Sequence, residues 1–293
     1  MSKEPSLQHE YQANRARLEI SIRSYLTRIL EALRIKELLR VALYKSTVKA
    51  AIEAIPGLRR IYPPLGRSHP LDKFYGIDAS TDASGFVRAY GYVGSQAGVV
   101  RGALKALGDT RDYAFVDVGC GKGRVAIVAS EFPFREITGI ELSPELADIA
   151  RRNVEKMSQR FPGRPPITIR TGNVLDFALP PGKSVLYMYH PFGREVMKRF
   201  AAKLESALEA PDAPEIFVVY CNPVCGEILD ASPALSRWYA DVIPYDPSEI
   251  GFGPDENDTV VIWQSARHAH PTPHNRIGRK IVVLEPTWAV LAD

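Results

Sequence analysis

Ten residues, Phe115 to Arg124, read FVDVGCGKGR and join an acid to three alternating glycines. A β-branched and aromatic run reaches Asp117, Gly119, Gly121 and Gly123 follow, and the apolar stretch Val125 to Ala129 begins at once. This order predicts a strand, a tight turn and a helix. Glycine lets the backbone take positive φ and come close to a ligand, and a helix start carries amide N–H groups without intrahelical partners. Such a turn suits something flat, polar or negatively charged. Spacing then narrows the choice: a dinucleotide fingerprint needs G-x-G-x-x-G, but counted from Gly119 and Gly121 its last position holds Arg124. The chain offers D-x-G-x-G-x-G instead, with Asp117 placed to meet an amino group.

Two more polar residues fall at the ends of apolar runs. Glu141 lies 24 positions beyond Asp117, closing a short strand, and Ser143 and Pro144 follow as N-cap and first residue of a helix. At the tip of the neighbouring strand its carboxylate is able to accept both hydroxyls of a ribose. The stretch TGNVLDF, Thr171 to Phe177, follows a strand at 167–170 and puts Asn173 where an adenine edge would lie.

With these residues in hand, the chain resembles the class I S-adenosylmethionine-dependent methyltransferases over about Tyr90 to Ser265. More narrowly, YGIDAS at 75–80, YVGSQ at 92–96, VDVGCGKGR, GIELSPELADIARRN and VLYMYHPFG at 185–193 resemble a poorly characterised bacterial group. That group in turn is similar to seven-strand protein lysine methyltransferases. The resemblance implies S-adenosylmethionine as cofactor, bound by Asp117, Gly119, Gly121, Gly123, Glu141, Asn173, Val174, Tyr92 and Gln96. Tyr75, Asp78, Tyr92, Ser95 and Gln96 are expected as its cap, with Tyr92 and Gln96 at the methionine end. Two positions depart from the family pattern: Asn173 stands where Asp is usual, and His190-Pro191-Phe192 replaces Asn-Pro-Phe or Asp/Asn-Pro-Pro-Tyr.

Methyl transfer from a sulfonium is an in-line displacement, so the protein has to position the nucleophile and strip water from it. The resemblance puts Tyr189, His190 and Phe192 beside the methyl group as catalytic candidates. A neutral His190 is able to accept an amine N–H or take its proton, which matters because a lysine ammonium has a reference pKa near 10.4. The alternative is a strand-end histidine bonded to backbone. The expected activity is methylation of a nitrogen nucleophile, in the first place a protein side-chain amine. RNA or a small molecule as acceptor, and a non-catalytic cofactor-binding scaffold, are the alternatives.

The 293 residues are 45% hydrophobic, enough to bury one large α/β core. Cys120, Cys221 and Cys225 are too few and too badly spaced for a disulfide framework or structural zinc, so a reducing cytoplasm is the expected location. Cys120 reads as a small apolar filler. No stretch approaches the ~20 apolar residues of a membrane span, and MSKEPSLQHEYQ does not read as a signal peptide.

The net charge of +3 is uneven: residues 1–60 hold twelve Lys or Arg against six Asp or Glu, hence +6, leaving −3 for the rest. Leu18, Ile22, Tyr25, Ile29 and Leu33 recur at helical spacing, as do Val41, Tyr44, Val48, Ile52 and Ile55. This basic arm is read as two amphipathic helices, or one bent near 34–36. It either grips an acidic partner or, the favoured reading, serves as an oligomerisation or lid element.

The expected organisation is the arm at 1–60, a connector and cofactor cap at 61–100, a methyltransferase domain at 101–266 and a tail at 267–293. Alternating strand and helix patterns predict a Rossmann-like, doubly wound, seven-stranded and mostly parallel sheet. Strands are expected near 113–118, 137–141, 167–170, 185–189 and 216–220, with an antiparallel hairpin at 239–244 and 259–264. A helix at 194–209 should carry Val196, Phe200, Leu204 and Leu208 on one face. The tail sequence HAHPTPH, lacking carboxylate or thiol partners, reads as a surface linker with no metal, and 280–284 as a further strand.

Overall fold

A computed structural model describes residues 69–78, 94–250 and 256–271. All of them belong to the compact unit Pro63–Asp293. The basic arm, Tyr92 and the 280–284 stretch lie outside the described residues.

Seven strands form one sheet: β1 Tyr113–Val118, β2 Glu136–Glu141, β3 Ile167–Thr171, β4 Lys183–Tyr189, β5 Glu215–Cys221, β6 Leu235–Pro244 and β7 Asn257–Ser265. Their order is β3-β2-β1-β4-β5-β7-β6. The first five pair in parallel, and β7 and β6 add an antiparallel hairpin beside β5. This is the Rossmann-like sheet expected from the sequence. The central strands are apolar on both faces because helices cover both, so β1 is buried along its whole length. Edge strand β3, with one face covered, buries only Ile169.

On one face α2, Ala97–Ala106, α3, Arg124–Ala129, and α4, Pro144–Arg160, pack with Phe115, Ile137, Tyr187 and Val219. A short helix α1, Pro70–Tyr75, joins this cluster through Leu71 and Tyr75. On the other face α5, Arg194–Glu209, lies over Val116, Val118, Leu186, Met188 and Val218. The buried stripe of α5 is Met197, Phe200, Ala201, Leu204 and Leu208; Met197 takes the place expected of Val196. A last short helix, α6, spans Gly226–Asp230.

Strand order reverses between β1 and β4: after β1 the chain builds outward through β2 and β3, then returns to β1's other side. The carboxyl ends of β1 and β4 are therefore neighbours, with Asp117 opposite Tyr187 and Val118 opposite Met188. Ligands in open α/β sheets bind outside such a switch point.

The tail begins differently from the linker expected. Ala266–His268 forms a 3-10 turn, and the His270 Nε2 lies 2.8 Å from Glu215 Oε1 while its ring packs on Phe217 at 5.1 Å. A carboxylate partner does exist, supplied by β5, where sequence proximity gave no hint of it. Among the described residues no cluster of His, Cys, Asp or Glu is arranged to hold a metal.

Gly139 in β2 fixes how closely the glycine turn approaches the sheet. A Cβ there would lie 2.8 Å from both Cys120 Sγ and Ile169 Cδ1. Cys120 thus fills the small space above Gly139, in keeping with its reading as an apolar filler. Gly139→Ala should destabilise the fold by about 1–3 kcal/mol through overpacking. Gly163→Ala, whose Cβ would meet nothing within 4 Å, should stay within about 0.5 kcal/mol. Urea denaturation of the two variants makes the comparison, and equal midpoints would remove the close-approach role from Gly139.

Candidate functional site

The turn after β1 is held in shape by its own amides. Gly119, Gly121 and Gly123 take φ of +74°, +53° and +83°, all left-handed. Gly119 and Cys120 both donate to the Ile140 carbonyl at 2.9 Å, Gly123 donates to Cys120, and Gly121 donates to Glu141 Oε2 at 2.8 Å. The amides of Gly119, Cys120, Gly121 and Gly123 tie the turn to β2 and to itself, and the glycines serve the backbone's path. A Cβ on Gly119 would also meet Pro191 Cβ at 2.8 Å, so the turn after β4 is wedged against the turn after β1.

Glu141 ends β2 as expected, half-buried. Its Oε1 accepts the Ser143 N–H at 2.9 Å, while Ser143 caps α4 and Pro144 opens it. Each carboxylate oxygen has two acceptor positions, so Glu141 braces two backbone segments and still has capacity for two hydroxyl donors. Beside it Leu142 is 71% exposed, an apolar surface next to a carboxylate.

Asp117 is 2% exposed. It accepts the Ala126 N–H at the start of α3, yet its Oδ2 has no hydrogen-bond partner. Burial, aided by the Glu141 charge, pushes the carboxyl up to about 8. A buried acid with an unanswered oxygen is costly, and a cationic amino group would answer it.

Asn173 is exposed after β3, its Oδ1 accepting the Leu175 N–H at 3.0 Å to cap the 3-10 turn Val174–Asp176. Val174 packs partly against the α5-side core. Gln96 is the N-cap residue of α2, buried, with its carboxamide oxygen 2.9 Å from His69 Nε2. Since His69 Nδ1 accepts the Leu71 N–H, Nε2 carries the proton and the ring is neutral; burial and the Arg124 charge hold its pKa down to about 4. Asp78 sits beside the glycine turn: Asn153 bonds its N–H and C=O and also the Lys122 carbonyl, and Lys122 Nζ lies 3.7 Å from its carboxylate. Tyr75 is not in a cap. Its hydroxyl donates to Glu131 and accepts from Arg164, and its ring packs on Phe161, all beyond the far end of α3 from the turn. An aromatic ring in the core was mistaken for a ligand contact because both call for the same residue type.

At the end of β4, Tyr189 donates its hydroxyl to Asp258 Oδ1 at 3.1 Å. His190 takes φ +38°, unusual for a residue with a Cβ, and its Nδ1 lies 3.1 Å from the Tyr220 hydroxyl on β5. Burial lowers its pKa, so the neutral ring dominates at pH 7. Phe192 meets Phe200 of α5 edge-on at 5.6 Å, so it packs towards the helix. The sequence reading passed over Asn222, which takes φ +50° after β5. The available signal was Asn222-Pro223 repeating, one strand on, the pattern of His190-Pro191. Leu142 was missed too, since one apolar residue after a strand looks unremarkable.

A ligand with an amino group, a vicinal diol and a flat apolar ring would find Asp117 for the first, Glu141 for the second and Leu142 for the third.

Comparison with known proteins gives a methyltransferase domain family matching residues 115–210. The release factor glutamine methyltransferase of Vibrio cholerae serotype O1 is 44% identical over 48 residues, 16% of this chain and 17% of that protein. The chain thus spans about a sixth of the length of the curated relative it matches. Among solved structures, an RNA methyltransferase from Salinibacter ruber with S-adenosyl-L-homocysteine is 17% identical, at a TM-score of 0.40, covering 63% of this chain and 99% of that one. TrmK of M. capricolum with S-adenosyl-homocysteine is 14% identical, at 0.41, covering 64% and 74%.

Asp117 also sets a pH dependence. A carboxyl raised from 3.8 to about 8 keeps its proton where the unfolded chain has lost it, so its stabilisation is present below 3.8 and lost as pH rises through 8. His69, lowered from 6.5 to about 4, acts in the opposite sense and costs stability as pH falls through that window. Asp117→Asn removes only the first effect. At about 1.4 kcal/mol per pH unit, the variant should gain roughly 3–4 kcal/mol on wild type between pH 5 and pH 8. Urea titrations at both pH values measure it, and a constant difference would mean Asp117 ionises normally.

Proposed function

We propose that this chain is an S-adenosylmethionine-dependent methyltransferase acting on a nitrogen nucleophile, a protein side-chain amine in the first place. The observation that carries the reading is the unanswered, fully buried Asp117 oxygen at the head of a glycine turn that Glu141 braces, both at the switch point of the sheet. The family match at 115–210 covers this turn, Glu141, Asn173 and the end of β4. When bound, the cofactor supplies an electrophilic methyl group. Asp117 holds its amino group, Glu141 its ribose hydroxyls, Leu142 and Val174 flank the adenine, and Asn173 reads the adenine edge. Tyr92 and Gln96 belong to the methionine end.

The remaining work falls to the β4 end. His190, neutral because burial disfavours its charged form, accepts an N–H or proton from the acceptor nitrogen. Pro191 presses the His190 turn onto Gly119, which keeps acceptor and donor groups at a fixed separation. Tyr189, tied to Asp258, walls the site on the β7 side, and Phe192 lends an apolar edge that excludes water. The basic character of residues 1–60 gives an RNA acceptor the second place. We place the protein in the cytoplasm, and assign the arm at 1–60 to oligomerisation or to holding an acidic partner.

The direct test incubates the protein with labelled S-adenosylmethionine and whole-cell extract, then digests separately with protease and nuclease. Label released only by protease is the expected result. Release only by nuclease would shift the acceptor to RNA, and no label would leave a binding module. S-adenosylhomocysteine at 100 times its Kd should stabilise the fold by about 2.7 kcal/mol while NAD does nothing; the reverse would overturn the cofactor.

Glu141→Ala loses two charge-assisted hydrogen bonds worth about 1.5–3 kcal/mol each, so cofactor affinity should fall roughly a hundredfold or more. Since the same carboxylate holds Gly121 and Ser143, the unliganded variant should also lose about 1–3 kcal/mol. Calorimetry for binding and denaturation for stability separate these effects. Unchanged affinity would take Glu141 out of the site.

A further inference from the structure

The described residues reach positive φ at nine places, and seven of them are glycine. The other two, His190 at +38° and Asn222 at +50°, follow neighbouring strands. The last pair in the β4–β5 register is Tyr189 opposite Cys221, so His190 and Asn222 are the next residue on each strand. Each is followed by a proline. Elsewhere among the described residues glycine takes this conformation at no steric cost; here, at adjacent strand ends, the chain keeps side chains.

Asparagine tolerates the left-handed region partly because its side chain bonds locally. Asn222 makes no such bond. Its backbone is pinned, the N–H donating to Thr259 O at 2.8 Å and the C=O accepting from Val224 N at 2.8 Å, yet its carboxamide has no hydrogen bond among the described residues. The residue is half-buried, so a donor pair and an acceptor stand ready at a fixed place.

We infer that Asn222 is a second acceptor-holding residue, its carboxamide oxygen taking one N–H of the acceptor nitrogen while His190 takes the other. This rests on the nitrogen-acceptor reading above and sharpens it: the acceptor carries two N–H bonds before transfer, as a primary amine or a primary amide does. Two fixed acceptors leave the nitrogen lone pair directed at the methyl group, and no proton has to leave through Asn222 itself. Asn222 is thereby a positioning residue for the transfer, and His190 remains its base.

Asn222→Gly separates function from conformation, because glycine accepts φ +50° without strain and removes only the amide. In the full-length chain, the variant should melt at the wild-type temperature or a few degrees above and bind S-adenosylhomocysteine within twofold. Label transfer from S-adenosylmethionine to the protease-sensitive fraction of the extract should fall at least tenfold. Asn222→Asp, which keeps an acceptor oxygen, should recover part of it. A readout independent of turnover is the Asn222 side-chain NH₂ cross-peak, identified by its loss in Asn222→Gly. With S-adenosylhomocysteine bound it should move when n-butylamine or propionamide is added. Full transfer by Asn222→Gly, or a cross-peak unmoved by both probes, overturns the assignment and leaves methyl transfer standing. A wild-type protein that transfers no label to any fraction overturns both.

Discussion

One carboxylate holds the site together. Glu141 accepts the Gly121 N–H with one oxygen and the Ser143 N–H with the other, joining the turn after β1 to the turn after β2. The preceding residue adds its carbonyl, which takes both the Gly119 and Cys120 N–H groups. Four backbone donors from these two turns therefore converge on two consecutive residues of one strand, and the Gly172 N–H adds a fifth on the Glu141 carbonyl. This convergence needs Gly139 below it, since any side chain there would lift Cys120 and the turn with it. It also accounts for three left-handed glycines in five residues: a chain folded back onto a strand end turns more tightly than residues with a Cβ allow.

A second set of buried polar contacts ties the segment before the sheet to the same turn. Arg124, the first residue of α3, pairs with Asp72 of α1 at 2.9 Å and reaches the Ser95 carbonyl, all three nearly sealed from water. His69 bonds Gln96, and Glu249 accepts the Gly98 N–H at the start of α2. Burying charges costs several kcal/mol per ion before pairing, and a hydrophobic cluster of equal size would often stabilise as well. What such a network adds is a single arrangement, because each of its directional bonds is satisfied in one geometry only. Residues 69–78 and 94–98 are held at the turn by direction as well as by apolar burial.

The sheet was legible because its signals are local. Buried parallel strands read as apolar runs, and the bounds expected for β1 and α5 agree with those observed to the residue. The Ser143-Pro144 start of α4 follows from capping chemistry alone. The short helices α1, α2 and α6 were not expected, because two of them span at most six residues and α2 lies where motif spacing drew the eye to Gln96. Beyond single elements the sequence is silent. Nothing in the spacing told that the turn's amides would be spent on Ile140 and Glu141, that Tyr75 would turn to Glu131, or that β5 would bring a carboxylate to His270. Each depends on which strands become neighbours, a fact that no window of sequence contains.

Several unbalanced features of the fold stand at the carboxyl ends of neighbouring strands. Asp117 holds an unanswered oxygen, His190 and Asn222 carry side chains in a conformation that suits glycine, and Leu142 faces solvent. Each is a local loss that a small substitution would relieve, by Asn, Gly or a polar residue in turn. Four such losses scattered over the surface would mean little. These four stand at the carboxyl ends of β1, β2, β4 and β5, which are consecutive in the sheet. Stability forgone side by side at four consecutive strand ends is what a surface shaped for a ligand would require.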